Sequence, residues 1–278
     1  MNATLSVCGI EVPRIGFGTL YLTVERGFGA ARADAVVLLR EARALGVRMF
    51  DTADSYGSGS AEQAVREALH PYDGLVVTTK GGFRHDQLGT WVRDARPERL
   101  REAVEGSLRR LGVETIELYQ LHCPDQLVPY AELVGTLEDL RRAGKIRHIG
   151  ISNVDVSQIE TARRETEIVS VQNPFNVHRR QGADVVDYCA ENGLVFIPWA
   201  PLGDGAISWD DPVLLRLARK HGASPPQIAL AALLHRSPAI LPIPGTGSTD
   251  HLRDNVAAGR IDLDAEDLAA LWPDPSGA

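Results

Sequence analysis

Short apolar runs alternate with longer amphipathic stretches along almost the whole chain. Residues 5–12 alternate apolar and polar around a glycine and predict a small β-hairpin. A compact strand is expected at 15–19, then a helix at 33–45 that stops at Gly46. The rhythm then repeats. Strands are expected at 47–50, 75–79, 116–121, 146–151, 168–172, 194–197 and 240–243. Helices are expected at 60–69, 98–111, 130–143, 157–165, 184–192, 212–221, 226–236, 249–258 and 265–271. Ser60-Ala-Glu-Gln63 has the form of a capping box, and Pro97 suits a first helical position.

Counting the strand at 15–19, these are about eight strand–helix units, the number that closes a parallel barrel. The expected fold class is therefore α/β, a (β/α)8 TIM barrel preceded by a short N-terminal β-hairpin. An open doubly wound sheet is the alternative, but no G-x-G-x-x-G follows the first strand. No linker-like stretch divides the chain, so residues 1–278 read as a single domain with a loose tail from about 273.

Composition narrows the function. At 278 residues, 44% hydrophobic and 24% charged, the chain matches an ordinary globular protein of one barrel. A net charge of -8 and a pI near 5.5 argue against a nucleic-acid surface or a polybasic membrane surface. Cys8, Cys123 and Cys189 are odd in number and widely spaced, which argues against a disulfide framework or a cysteine zinc site. His85, His178 and His235 show no metal-ligand spacing, so no metal is expected. The first residues lack a signal-peptide pattern, and no apolar run approaches the roughly 20 residues of a membrane span. A cytoplasmic protein is expected, a monomer or small homo-oligomer acting on a small molecule.

In such a barrel the chemistry sits where strands end. The residues following each strand are Gly18-Thr19, Asp51, Lys80, His122, Ser152-Asn153, Gln172-Asn173, Trp199-Ala200 and Pro244-Gly245. An isolated Asp-x4-Tyr reads first as a strand-end turn. Here Asp51, Lys80 and His122 end three successive strands with Tyr56 close by, and a site becomes the stronger reading. A phenol is a proton donor with a pKa near 10, and an adjacent ammonium stabilises its phenolate. Lys80 is placed to do that for Tyr56, Asp51 to hold Lys80, and His122 to donate to an oxygen gaining charge. That set suits carbonyl reduction, with hydride supplied from elsewhere. Asp54 is left as a turn residue.

Residues 243–248, Ile-Pro-Gly-Thr-Gly-Ser, lead into a helix whose first N–H groups can bind an anion. Ser152, Asn153 and Gln172 offer donors and acceptors for a carboxamide, and Trp199 offers a face for stacking. Tyr21, Phe83, Trp91 and Trp209 fall near the expected mouth as candidate substrate residues, with plain packing equally open.

Taken together, these motifs make residues 15–255 resemble the aldo-keto reductase family. The matching stretches are Gly16-Phe-Gly-Thr19, Asp51-Thr-Ala-Asp-Ser-Tyr-Gly57, Thr79-Lys80, Leu121-His122, Gly150-Ile-Ser-Asn153, Val171-Gln-Asn173, Pro198-Trp-Ala-Pro-Leu-Gly203 and Ile243-Pro-Gly245 through Asn255. The resemblance implies Tyr56 as general acid, tuned by Lys80 and Asp51, with His122 orienting the carbonyl. It implies that Ser152, Asn153 and Gln172 hold the nicotinamide amide and that Trp199 stacks on its ring. Gly18, Thr19, Leu20, Asp51, Ala200 and Pro201 join the cofactor set. Leu202, Gly203, Gly245, Thr246, Gly247 and Ser248 would grip the phosphates, and His251, Asp254 and Asn255 would complete the site, Asn255 facing the adenine.

Two departures matter. Gly245 and His251 stand where many members carry the Lys or Arg that meets the 2′-phosphate of NADPH. Thr246, Ser248, His251 or Arg253 remain for that phosphate, so NADPH is expected, with NADH as the alternative. The loops 123–129 and 204–211 and the tail are short, which implies an open pocket not shaped for steroids. Residues 66–72 and 243–258 look most like a bacterial subgroup that includes pyridoxal reductases. The implied substrate is a small polar or aromatic aldehyde such as pyridoxal, or a keto-sugar-like metabolite. Two alternatives stand beside a carbonyl reductase: a cofactor-binding regulatory or redox-sensing subunit, and an enzyme working as an alcohol dehydrogenase.

Overall fold

The computed structural model describes residues 4–23, 32–86, 88–205 and 207–273; most of the tail expected to be loose lies outside them. Strands β1 (Thr4–Val7) and β2 (Ile10–Pro13) form the expected antiparallel hairpin, with Leu5 opposite Val12. Its turn residues Cys8 and Gly9 both take positive φ, 53° and 76°, as a tight two-residue hairpin turn demands.

The chain then alternates strand and helix. In order come β3 (Phe17–Gly18), α1 (Arg32–Ala44), β4 (Met49–Asp51), α2 (Ser60–Leu69) and β5 (Val76–Gly81). A second hairpin, β6 (Phe83–His85) and β7 (Trp91–Arg93), interrupts the rhythm before α3 (Pro97–Leu111). Then follow β8 (Ile116–Leu121), α4 (Tyr130–Arg142), β9 (Ile146–Ser152), α5 (Val156–Glu165), β10 (Ile168–Gln172), α6 (Ala183–Glu191) and β11 (Val195–Phe196). The chain continues through α7 (Pro212–His221), α8 (Pro225–Arg236), α9 (Thr249–Ala257) and α10 (Ala265–Leu271).

Strands β3, β4, β5, β8, β9, β10 and β11 pair side by side, all parallel, in one seven-stranded sheet. The stretch 240–243, expected as the eighth strand, closes the gap together with Ala239. Phe196 donates to Ala239 O at 2.9 Å, Leu241 to Phe196 O at 2.9 Å, and Gly16 to Pro242 O at 2.9 Å. Pro242 has no N–H to give, so the segment touches both neighbours without forming a regular ladder. The outcome is a (β/α)8 barrel with an N-terminal hairpin.

The hairpin plugs one end. Val7 and Val12 pack with Met49, Val76, Leu118, Val195, Ile197, Leu241 and Ile243 in the interior. A larger apolar layer, including Leu39, Leu69, Leu100, Leu133 and Ile159, lies in the barrel's helix-packed core. One local expectation fails. Ser60 is the first residue of α2 and not its cap; Gly59 caps the helix at φ 92°, with no side-chain cap bond. Glu62, inside that motif, is buried; it accepts from Thr79 Oγ1 at 2.6 Å and from Arg110 Nε at 2.5 Å. Capping boxes form instead at Asp155–Gln158, Ser224–Gln227 and Asp264–Asp267.

Candidate active site

The open end of the barrel gathers the polar strand ends. Asp51 closes β4 and is buried; its Oδ2 takes Lys80 Nζ at 2.6 Å and its Oδ1 takes Gln172 Nε2 at 2.9 Å. Gln120 Nε2 adds a bond to the same oxygen at 3.3 Å and another to Thr78 Oγ1 at 2.9 Å. Lys80 is wholly buried, so its charge depends on partners: Asp51, the Thr52 carbonyl at 2.9 Å and the Tyr56 hydroxyl at 3.4 Å. Gly57, Ser58 and Gly59 take φ of 55°, 51° and 92°, three left-handed residues in succession that turn the chain sharply after Tyr56. Tyr56 thereby packs over the lysine, whose Nζ lies 5.0 Å from the ring centroid.

The electrostatics follow from burial. Burial pushes the Tyr56 phenol above its ordinary value; Lys80 pulls it down without cancelling the shift. The ammonium therefore moderates the phenol, which stays protonated at neutral pH. Burial lowers Lys80, but Asp51 and Tyr56 outweigh it, and its net shift is upward. His122 is held well below the ordinary imidazole range by burial and then by Lys80, so it is neutral. Its ring meets Tyr56 edge-on at 5.8 Å and Phe83 at 4.8 Å, and its Nδ1 has no hydrogen-bond partner among the described residues.

These groups open onto a cavity of about 860 Å³. It is lined by Asp51, Tyr56 and His122 and by all four candidate substrate residues, Tyr21, Phe83, Trp91 and Trp209. Of the cofactor candidates, Gly18, Leu20, Ser152, Asn153, Gln172, Trp199, Ala200, Pro201, Leu202, Gly245, Thr246, Gly247, Ser248 and His251 line the same cavity. Lys80 lies behind Tyr56, out of the wall.

Four cofactor candidates also lie outside that wall. Thr19 is fully buried, and any side chain at Gly203 would run into Ile207. Asn255 is buried in α9, and Asp254 is exposed, its carbonyl accepting from Gln227. Arg253, a candidate for the 2′-phosphate, is engaged by Glu41 at 2.7 Å and Asp250 at 3.4 Å. Asp54, assigned to a plain turn, is buried, pairs with Arg99 at 3.3 Å, and has a carboxyl pushed up to about 7 by burial and by Glu62.

The cavity's far end is the start of α9, where Ser248 Oγ caps the helix by accepting from His251 N–H at 3.4 Å. Thr246 Oγ1 accepts from Ser248 N–H at 3.0 Å. Nearer the catalytic end, Asn153 at φ 61° donates to His122 O at 2.9 Å and Ser152 Oγ at 3.1 Å. Its Oδ1 accepts from Trp199 Nε1 at 3.2 Å, and Arg179 covers one face of that indole at 5.5 Å. A long cavity with a ring surface, amide groups and a helix N-terminus suits a dinucleotide.

Sequence reasoning missed Arg93 in the wall and Gln120 beneath it; Cys123 and Asp204, which open the loops 123–129 and 204–211, line the wall as well. A glutamine inside the apolar run 116–121 was a readable signal. So was the pair of short strands around Leu88-Gly89 that carries Arg93.

Comparison with known proteins agrees with this geometry. Residues 14–272 match the aldo/keto reductase family. Pyridoxine 4-dehydrogenase of Escherichia coli (strain K12) is 40% identical over 271 residues, covering 94% of this chain and 94% of that protein. An uncharacterized oxidoreductase of Schizosaccharomyces pombe is 39% identical over 270 residues, covering 96% and 88%. Among solved structures, an aldo/keto reductase from Klebsiella pneumoniae in complex with NADP and acetate superposes with a TM-score of 0.84 at 27% identity, covering 98% and 94%. Glycerol dehydrogenase from Gluconobacter oxydans gives 0.86 at 28% identity, covering 99% and 98%.

The fold and site define a nicotinamide-dependent oxidoreductase on a (β/α)8 barrel. The chain belongs to the aldo/keto reductase family of oxidoreductases, one solved neighbour of which was crystallised with NADP. Among the described residues no helix is long and apolar enough to cross a membrane.

Proposed function

We propose that the chain interconverts an aromatic aldehyde of the pyridoxal type and its alcohol, with Tyr56 as the general acid of reduction. The observation that carries this reading is the Tyr56 hydroxyl, 3.4 Å from Lys80 Nζ, opening on a cavity walled by Phe83, Trp91 and Trp209. NADPH supplies the hydride when bound. The chain's own residues do the rest.

Ser152 and Gln172 Oε1 would hold the nicotinamide amide, with Gln172 Nε2 committed to Asp51. The cavity side of Trp199 would stack on the ring, and the turn 245–248 with the start of α9 would receive phosphate. Neutral His122 donates one hydrogen bond to the carbonyl oxygen and fixes its position. Tyr56 gives its proton to that oxygen as charge develops, and Lys80 stabilises the phenolate left behind. Asp51 acts through Lys80 by keeping it charged and in place.

The aromatic wall favours a flat substrate. Phe83 and Trp91 meet edge to face at 5.4 Å, and both stand against His122. A pyridoxine dehydrogenase at 40% identity favours the same class. The test measures NADPH and NADH oxidation with pyridoxal, simple aldehydes, diketones and keto-sugars. Pyridoxal is expected to give the highest kcat/KM and NADPH to exceed NADH. Tyr56→Phe is expected to lower turnover by about 10² to 10⁴-fold with NADPH binding retained. Unchanged turnover in that variant would refute the acid role. Tight NADPH binding without turnover on any carbonyl would favour a regulatory subunit.

A further inference from the structure

At the plugged end of the barrel, three side chains from distant parts of the sequence bring metal-ligating atoms together. Cys8 lies in the turn of the first hairpin, Glu117 near the start of β8 and His148 near the start of β9. The thiol, a carboxylate oxygen and an imidazole nitrogen all lie within 4.8 Å of one another. We propose that Cys8, Glu117 and His148 bind a borderline divalent cation, zinc foremost, which clamps the hairpin plug onto the barrel.

The donor set is the first argument. Thiolate, imidazole and carboxylate are the three ligand types that zinc takes, and a set with a soft thiolate excludes magnesium and calcium. A thiolate and a carboxylate also neutralise the ion's two charges, with the imidazole neutral.

Reach is the second. Bonds of about 2.0 to 2.3 Å to a tetrahedral ion set donors roughly 3.3 to 3.8 Å apart, so about 1 Å of side-chain rotation brings the trio into place. Glu117 Oε1 already lies 3.7 Å from His148 Nε2. Its Oε2 faces Arg147 at 3.4 Å, which orients the carboxylate and leaves Oε1 for the ion.

The scaffold is the third. β8 and β9 are paired strands, Leu118 lying beside His148, so two ligands sit on rigid backbone. Val7 and Val12 bury the hairpin that presents the third. A cavity of about 510 Å³ lined by Ser6, Cys8, His148, Thr166 and Asn192 gives access from solvent and room for a water as fourth ligand. On coordination the Cys8 thiol releases its proton to solvent and the S–metal bond forms; no oxidation state changes.

His122 lies five positions along the chain from Glu117, about 16 Å at the rise of a strand, so the site is remote from the catalytic mouth. The test therefore reads metal directly. The full chain, freed of metal with a chelator, is titrated with Co²⁺ and then with Zn²⁺. One equivalent of Co²⁺ is expected to bring up thiolate-to-cobalt charge-transfer absorption and tetrahedral d–d bands, which Zn²⁺ then abolishes. Zn²⁺ is also expected to raise the Tm, while NADPH affinity stays the same. Cys8→Ser should lose the charge-transfer band, and His148→Ala should weaken Co²⁺ binding at least about 10-fold. No charge-transfer band in the unaltered chain at one equivalent overturns the proposal, whether or not the variants fold. An unchanged band in Cys8→Ser overturns it as well.

Discussion

The two ends of the barrel draw on the same strands and differ in what those strands present. At the mouth, β4 ends in Asp51, β5 carries Lys80 and β8 runs into His122, and the acid and the lysine satisfy each other out of water. At the plugged end, Met49, Val76 and Leu118 of those strands meet Val7 and Val12 of the hairpin. The mouth places charge in low dielectric, where it is costly and chemically useful. The plug buries apolar surface, which stabilises the fold. Chemistry and stability are thus divided along the barrel axis, with Lys80 as the point where the division is weakest.

Lys80 gives the largest expected effect. Lys80→Met removes the only cation beside buried Asp51 among the described residues, and it is expected to cost about 3 to 5 kcal/mol of stability as well as turnover. Adding Asp51→Asn should return part of that stability without returning turnover; urea denaturation of both variants checks this. A Lys80→Met chain as stable as the parent would erase the link between the two ends.

At the plug the expected effect is smaller and of the opposite kind. Val12 is fully buried against the barrel interior, and Val12→Ala is expected to cost about 1 to 3 kcal/mol with kcat/KM unchanged. Thermal unfolding and steady-state rates on one preparation decide it. A fall in kcat/KM beyond about threefold would show that the plug sets the mouth's geometry.

The pH profile is the mildest way to sharpen the contrast. Tyr56 is shifted above 10.0 and His122 well below 6.5, so the reduction-competent pair, phenol and neutral imidazole, persists between these values. Reduction is therefore expected to be flat from about pH 7 to 9 in kcat. Alcohol oxidation needs the phenolate and is expected to rise with pH over the same range. Equal pH dependence in the two directions would remove Tyr56 from proton transfer.

Several features were legible because they are local. Period-two alternation marked the hairpin at 5–12, although the sequence did not say that Val7 and Val12 would stopper the barrel. Apolar runs ending in Asp51, Lys80 and His122 located the mouth, since parallel strands of similar length present their ends together. The motif at Ser60 misled because the helix starts one residue earlier than the box needs: Gly59 takes the cap position and Ser60 becomes the first helical residue. Asp54 does lie in a turn, but the sequence did not show that it becomes a buried acid once α3 brings Arg99 against it. The closing segment 240–243 was readable as apolar, but Pro242, with no N–H to give, left the manner of closure to its two neighbours.

By itself the sequence determined the alternation of strand and helix and which polar residues end the strands, because propensity and hydrophobic period act over a few residues. It also determined the residue types that suit proton donation to a carbonyl. Tertiary structure alone decided that Gln120 and Gln172 share the Asp51 carboxylate, that burial keeps the Tyr56 phenol protonated despite Lys80, and that Cys8, Glu117 and His148 meet. Those outcomes depend on distances between residues far apart in the chain and on the exclusion of water around them. Neither quantity exists until the barrel closes.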